Sequence, residues 1–149
     1  MKDIIKDNKG QISLEYILGS MIVILIISLI SVPILITAMD YSNDIIDSIN
    51  CKSELSKITD AIDFCYASGK GSKRIVYVDF NHDVDINFNN DGENGLASVY
   101  LNLSDTSKEI ECSFDYPDLN ENVHLSKGLN KIIVKWDEDS ERIEINRII

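Results

Sequence analysis

Basic clusters, histidines, cysteines and prolines are all scarce in this chain. Its 149 residues carry 14 Lys and Arg against 25 Asp and Glu, a formal net charge of −11 at pH 7. No run of Lys or Arg occurs. Phosphate backbones are gripped by such runs, so nucleic acid is excluded as a partner. The acidic balance describes a soluble, self-repelling surface instead. The two histidines, His82 and His124, stand alone, with no nucleophile or ligand set beside them. An enzyme is therefore the last reading, and no catalytic residue or cofactor is implied. Cys51, Cys65 and Cys112 lack metal-ligand spacing. With no internal repeat and no low-complexity tract, the length describes one modest domain plus an appendage.

What the chain does have is a long uncharged stretch. From Tyr16 to Met39, 24 residues separate Glu15 from Asp40 without a charge. As a helix they span about 36 Å, against roughly 30 Å of bilayer hydrocarbon. Fourteen Ile, Leu and Val lie between Ile17 and Ile36. They favour insertion by roughly 4–8 kcal/mol before polar terms. The run is expected to be a membrane helix, because a domain this small has too little chain to cover all its sides. A cleaved secretory signal has an apolar core of roughly 7–15 residues followed by a small-residue cleavage site. This run is longer, and PILITAMDYS (33–42) offers no clear A-x-A site. Lys2, Lys6 and Lys9 flank its start. Asp and Glu count little toward orientation, so the N-terminus is expected in the cytoplasm. The 110 residues after Met39 then lie outside the cell.

One feature sits oddly with a membrane helix: in KGQISLEY (9–16), Glu15 opens the apolar run and Lys9-Gly10 precede it. This segment resembles the class III signal peptide of archaeal type IV pilin-like proteins. A euryarchaeal branch of that family shows Q-x-S-x-E followed by an aromatic. Gln11, Ser13, Glu15 and Tyr16 match it, after Gly10. The match covers about eight residues and the adjoining helix. The resemblance implies that a prepilin peptidase cuts between Gly10 and Gln11, on the cytoplasmic side. Gly10 has no side chain to keep an extended backbone out of a tight cleft. Cutting removes three lysines and two aspartates, leaves 139 residues and takes the formal charge from −11 to −12. It also creates an α-amine at Gln11, with a pKa of about 7.7–8.0. The resemblance further implies that Glu15 meets the N-terminal amine of a neighbouring subunit. Such a pair in low dielectric selects register more than it stabilises. Cyclisation of Gln11 to pyroglutamate would delete that amine. Gly19 and Ser20, with Ser28 and Ser31, are small enough to let helices approach closely. Pro33 removes one backbone donor and is expected to kink or loosen the helix.

Beyond Asp40 the helical period continues to about Tyr66. Cys51, Leu55, Ile58, Ile62 and Cys65 share one face, expected to pack on the chain's own head. Tyr41, Ile45 and Ile49 form a second stripe, expected to meet neighbouring subunits. Ser68-Gly69-Lys70-Gly71-Ser72 ends the helix. Strands are expected at 74–80, 84–88, 96–103, 109–114, 131–136 and 142–146, with Ile132, Val134, Trp136, Ile143 and Ile145 inward. The expected fold class is α+β: a long N-terminal α-helix followed by a mostly antiparallel β-sheet head, as in pilin-like proteins. The divisions are 1–10, cleaved; 11–39, transmembrane and filament core; 40–66, helical stalk; 67–149, extracellular β-rich head.

Within an extracellular head, a Cys65–Cys112 disulfide is the preferred pairing, with free buried thiols as the alternative. Cys51 and Cys65 are about 21 Å apart along a helix and cannot pair. Asn87, Asn89, Asp91 and Gly92 imitate part of a calcium loop, but Ser98 stands where the final acidic ligand belongs. A polar hairpin loop is the better reading, and no metal is assigned. Asn102-Leu103-Ser104 is the single N-glycosylation sequon.

The leading expectation is a structural subunit of an archaeal type IV pilus-like surface filament serving adhesion. Its partners are identical or related pilin subunits, the prepilin peptidase, and the membrane before assembly. The assembly residues are Glu15, Gly19, Ser20 and Pro33. The alternatives are a minor or tip pilin, and a membrane-anchored extracellular binding domain that never polymerises. QISLEY differs from the Gly-rich start of archaellins.

Overall fold

The computed structural model describes residues 8–90, 92–104 and 106–148, with side chains from Leu14 onward. Among the described residues the chain forms one helix, α1 (Asn8–Ser68), and seven strands. These are β1 (Ser72–Phe80), β2 (Val84–Asn90), β3 (Gly95–Asn102), β4 (Ser107–Phe114), β5 (Glu121–Leu125), β6 (Gly128–Trp136) and β7 (Glu144–Ile148). It divides into two compact units, the first ending at Ser42 and the second starting at Asn43. The described part of the first unit is helix throughout, and the second carries every strand.

Local chemistry explains where α1 ends. Gly69 takes a left-handed φ of 81°, and its N–H donates to the Cys65 carbonyl at 3.0 Å. That is a left-handed C-cap, for which glycine has no steric penalty. The Ser72 hydroxyl donates to the same Cys65 carbonyl at 3.0 Å. The Gly71 N–H donates to the Trp136 carbonyl at 2.6 Å, tying the turn to the end of β6.

The strands pair antiparallel into a three-stranded sheet, order β1-β6-β7, and a four-stranded sheet, order β4-β3-β2-β5. Alternation selects the inner faces. Val78 and Phe80, Ile132 and Val134, and Ile145 point inward from the first sheet; Ile86 and Phe88, Ala97 and Val99, Ile110 and Phe114, and Val123 and Leu125 from the second. Cys51, Leu55, Ile58, Ala61, Ile62 and Cys65 of α1 join this same core. The fold class is thus α+β, a long N-terminal helix followed by antiparallel sheets. Of the two helix stripes read from the sequence, that at 51–65 is buried on the head, while Tyr41, Ile45 and Ile49 are exposed.

One strand and several strand bounds differ from the sequence reading: β1 starts at Ser72 rather than at 74, β2 runs to Asn90 rather than to 88, β3 is Gly95–Asn102 rather than 96–103, β4 starts at Ser107 rather than at 109, and β7 is Glu144–Ile148 rather than 142–146. β5 was not expected, because ENVHL offers only Val123 and Leu125 to the core among polar neighbours. β6 begins at Gly128 rather than at Lys131, since β1 reaches back to pair Phe80 with Gly128. Inside the four-stranded sheet, Gly95 faces its cross-strand partner Phe114, whose ring covers it. A Cβ there would overlap the ring. Phe114 meets Phe88 edge-on, with centroids 6.1 Å apart, so it has little room to retreat. Gly95→Ala is therefore expected to destabilise the head by about 1–3 kcal/mol, measured by denaturant unfolding. Wild-type stability in that variant would contradict the close packing.

Candidate functional site

The first unit presents its apolar side chains without cover. Every residue from Leu14 to Ser42 is exposed, Tyr16 at 82%. The helix is long and apolar enough to cross a membrane. Its hydroxyls are partly satisfied within the helix: Ser20 Oγ donates to the Ile17 carbonyl at 2.8 Å, and Thr37 Oγ1 to the Pro33 carbonyl at 3.0 Å. This local bonding lowers the cost of a polar side chain in hydrocarbon. Glu15 and Gly19 stand one turn apart, and Glu15, Tyr16, Gly19, Ser20, Val23 and Ile24 bound a shallow depression. Nothing would lie within 4 Å of a Cβ at Gly19. Pro33 is accommodated within α1.

The expected processing motif falls at the edge of what is described. Residues 1–7, and the side chains of Lys9, Gln11 and Ser13, lie outside the described residues. The backbone of 8–10 is already helical, so the Gly10–Gln11 bond lies in the first turn of α1.

In the second unit, carboxylates along α1 catch donors from the strands and loops. Asp44 accepts the Ser104 hydroxyl at 3.0 Å. Asp47 accepts the Asn81 amide at 2.7 Å and lies 3.1 Å from the His82 ring. Glu54, only 6% exposed, accepts Lys57 Nζ at 2.6 Å and the Asp79 N–H at 3.1 Å. Asp63 accepts the Asp115 N–H at 2.7 Å. Sequence reasoning passed over this set. Its signal was available: Asp44, Asp47 and Glu54 recur at three- and seven-residue spacing, beside the buried stripe. His82 is thus part of a latch, and His124 bonds Asp85 across β2 and β5 at 2.7 Å.

The expected Cys65–Cys112 pairing is not what the geometry brings together. The Cys65 thiol points to the Val134 carbonyl of β6, 3.6 Å away. The Cys112 sulfur lies 3.9 Å from the Lys52 carbonyl. Lys52 and Cys65 are separated by about 20 Å along the helix, whereas a disulfide tolerates Cα atoms about 4.4–6.8 Å apart. All three thiols are free. Asn87 and Asn89 lie in β2, and the Gly92 N–H donates to Asn90 Oδ1 at 2.7 Å. Asp91 lies outside the described residues. Among the described residues no group of three His, Cys, Asp or Glu is placed to hold a metal. Asn102 is exposed as the last residue of β3, and its Oδ1 accepts the Ser107 hydroxyl at 3.1 Å.

The latch residues titrate in opposite senses. Bonds from Asn81 first and His82 second hold the Asp47 carboxyl below its ordinary 3.8. A depressed carboxyl contributes stability that is present above 3.8 and lost as pH falls through the lower folded-state value. Burial pushes Asp63 above 3.8, against the pull of the Asp115 N–H. Its charged form is disfavoured by folding, so it subtracts stability as pH rises past 3.8. Asp47→Asn is expected to cost up to about 1 kcal/mol at pH 7 and to reduce the loss of stability below pH 4. Asp63→Asn, which keeps an acceptor for Asp115, is expected to match or exceed wild type at pH 7. Denaturant midpoints between pH 2.5 and 7 check both.

No protein-family model, no curated protein and no solved structure matches this chain.

Proposed function

We propose that this protein is a structural subunit of an archaeal type IV pilus-like surface filament, cut between Gly10 and Gln11 and polymerised through its apolar helix. The observation that carries the reading is the uncovered apolar helix from Leu14 to Met39, opened by a lone carboxylate at Glu15. A membrane anchor alone accounts for the apolar length. A charge at the lip of the run also fits the interface edge of an anchor helix; what an anchor does not explain is the Gln11, Ser13, Glu15 and Tyr16 pattern that resembles the pilin processing motif.

The physics of leaving the bilayer supports the same reading. Lipid tails are as apolar as leucine, so moving this helix from lipid into a bundle of like helices gains little hydrophobic energy. Close packing and polar contacts must decide the exchange. Gly19 and Ser20 supply the close approach, and Glu15 supplies a charge that hydrocarbon disfavours and a neighbour's N-terminal amine would satisfy. Before assembly the N-terminus faces the cytoplasm and the head lies outside the cell. Processing requires the first turn of α1 to open so that Gly10–Gln11 can enter the peptidase, and glycine weakens that turn by about 0.5–1 kcal/mol relative to alanine. On the stalk, Ile45 and Ile49 would meet neighbouring subunits, being exposed apolar residues beside a stripe already buried on the head. Surface adhesion is the activity such a filament serves.

Two variants in the source cells test the proposal. Gly10→Val is expected to leave uncut precursor in the membrane and to remove the protein from sheared surface filaments. Normal processing and incorporation would overturn the cleavage assignment. Ile49 is 65% exposed. Ile49→Asp is expected to cut incorporation severely while shifting head stability by no more than about 0.5 kcal/mol. Intact filaments with an unfolded head would reverse the assignment of the two stripes. A protein that stays in the membrane, whether or not it is cut, is instead a non-polymerising anchored domain.

A further inference from the structure

The geometry points to Cys51 and Cys112 as an oxidisable pair whose disulfide ties α1 to β4, leaving Cys65 as the free thiol. This does not depend on the filament reading. The Cys112 sulfur sits 3.9 Å from the carbonyl of Lys52, the residue that follows Cys51. Cys51 is buried in the core, and half-buried Cys112 packs against that same core. Burial first, and Cys112 second, push the Cys51 thiol up to about 11. Among the described residues β4 is an outer strand that pairs with β3 alone. It can move toward α1 without breaking a ladder on its other side. Cys65 lies about three turns further along α1 from Lys52 and points into the other sheet, at Val134.

The chemistry orders the two thiols. Cys112 is the more accessible, and the Lys52 ammonium opposes the burial that raises its thiol. Its thiolate attacks a small disulfide oxidant, forming a mixed disulfide and expelling one thiolate. Cys51 then attacks the Cys112 sulfur and expels the second. The two thiol protons and two electrons end on the oxidant, which leaves as two thiols. The bond closes a loop that contains β1, β2 and β3, so it restricts the unfolded chain strongly.

The test uses full-length protein in detergent, incubated with oxidised glutathione, then unfolded, alkylated and weighed intact. Wild type is expected to take one alkyl label after oxidation and three after reduction, with an upward shift in the thermal midpoint of the oxidised form. Cys65→Ala is expected to take none after oxidation, whereas Cys51→Ala and Cys112→Ala form no internal link. Peptide mapping of oxidised wild type identifies the linked residues even where a variant fails to fold. Three labels on oxidised wild type, a stable glutathione adduct on Cys112, or a link that includes Cys65 would each overturn the pairing.

Discussion

Twenty-four consecutive uncharged residues, every one exposed, are the constraint on which everything else depends. Fourteen of them are Ile, Leu or Val. Full burial of each is worth about 1.5–3 kcal/mol, and the helix itself already shields roughly half. The remainder, on the order of 10–20 kcal/mol, rivals or exceeds the net stability of a whole domain, about 5–15 kcal/mol. Such a segment does not rest in water. It needs lipid or other protein around it, and the proposed passage from membrane to filament would supply both.

The second half of α1 works under the opposite rule. From Cys51 to Cys65 the helix surrenders one stripe to the head core, and carboxylates on its flanks catch loop and strand donors. The apolar stripe holds the helix to the head. Directed bonds from Asp79, Ser104 and Asp115 add to that hold. The helix is exposed from Leu14 to Asn43, and Ser48 is its first buried residue among those described.

Much of this was legible in the sequence because period reports burial. The 51–65 stripe, the exposed Tyr41, Ile45 and Ile49, and the inward Ile143 and Ile145 all follow from spacing alone. The α1 terminus, read near Tyr66, lies at Ser68, where the Gly69 cap begins. β5 escaped because a five-residue strand with two inward apolar residues looks like a loop until β2 pairs with it. The cysteine pairing failed for a topological reason. Spacing does not say which sheet a strand joins, and Cys112 lies in the four-stranded sheet while Cys65 faces the three-stranded one. The latch carboxylates were present as acids but looked like solvent-facing charge, since their partners lie 25 to 60 residues away in sequence. The processing motif remains a matter of sequence, as its cut site lies outside the described side chains.

The central claim is that this chain leaves the membrane as a processed polymer subunit. Mass spectrometry of filaments sheared from the source cells, read at the N-terminus of this chain, addresses it most directly. The account predicts a chain beginning at Gln11, as a free amine or as pyroglutamate. Recovery only from membranes, with Met1 intact, would contradict it.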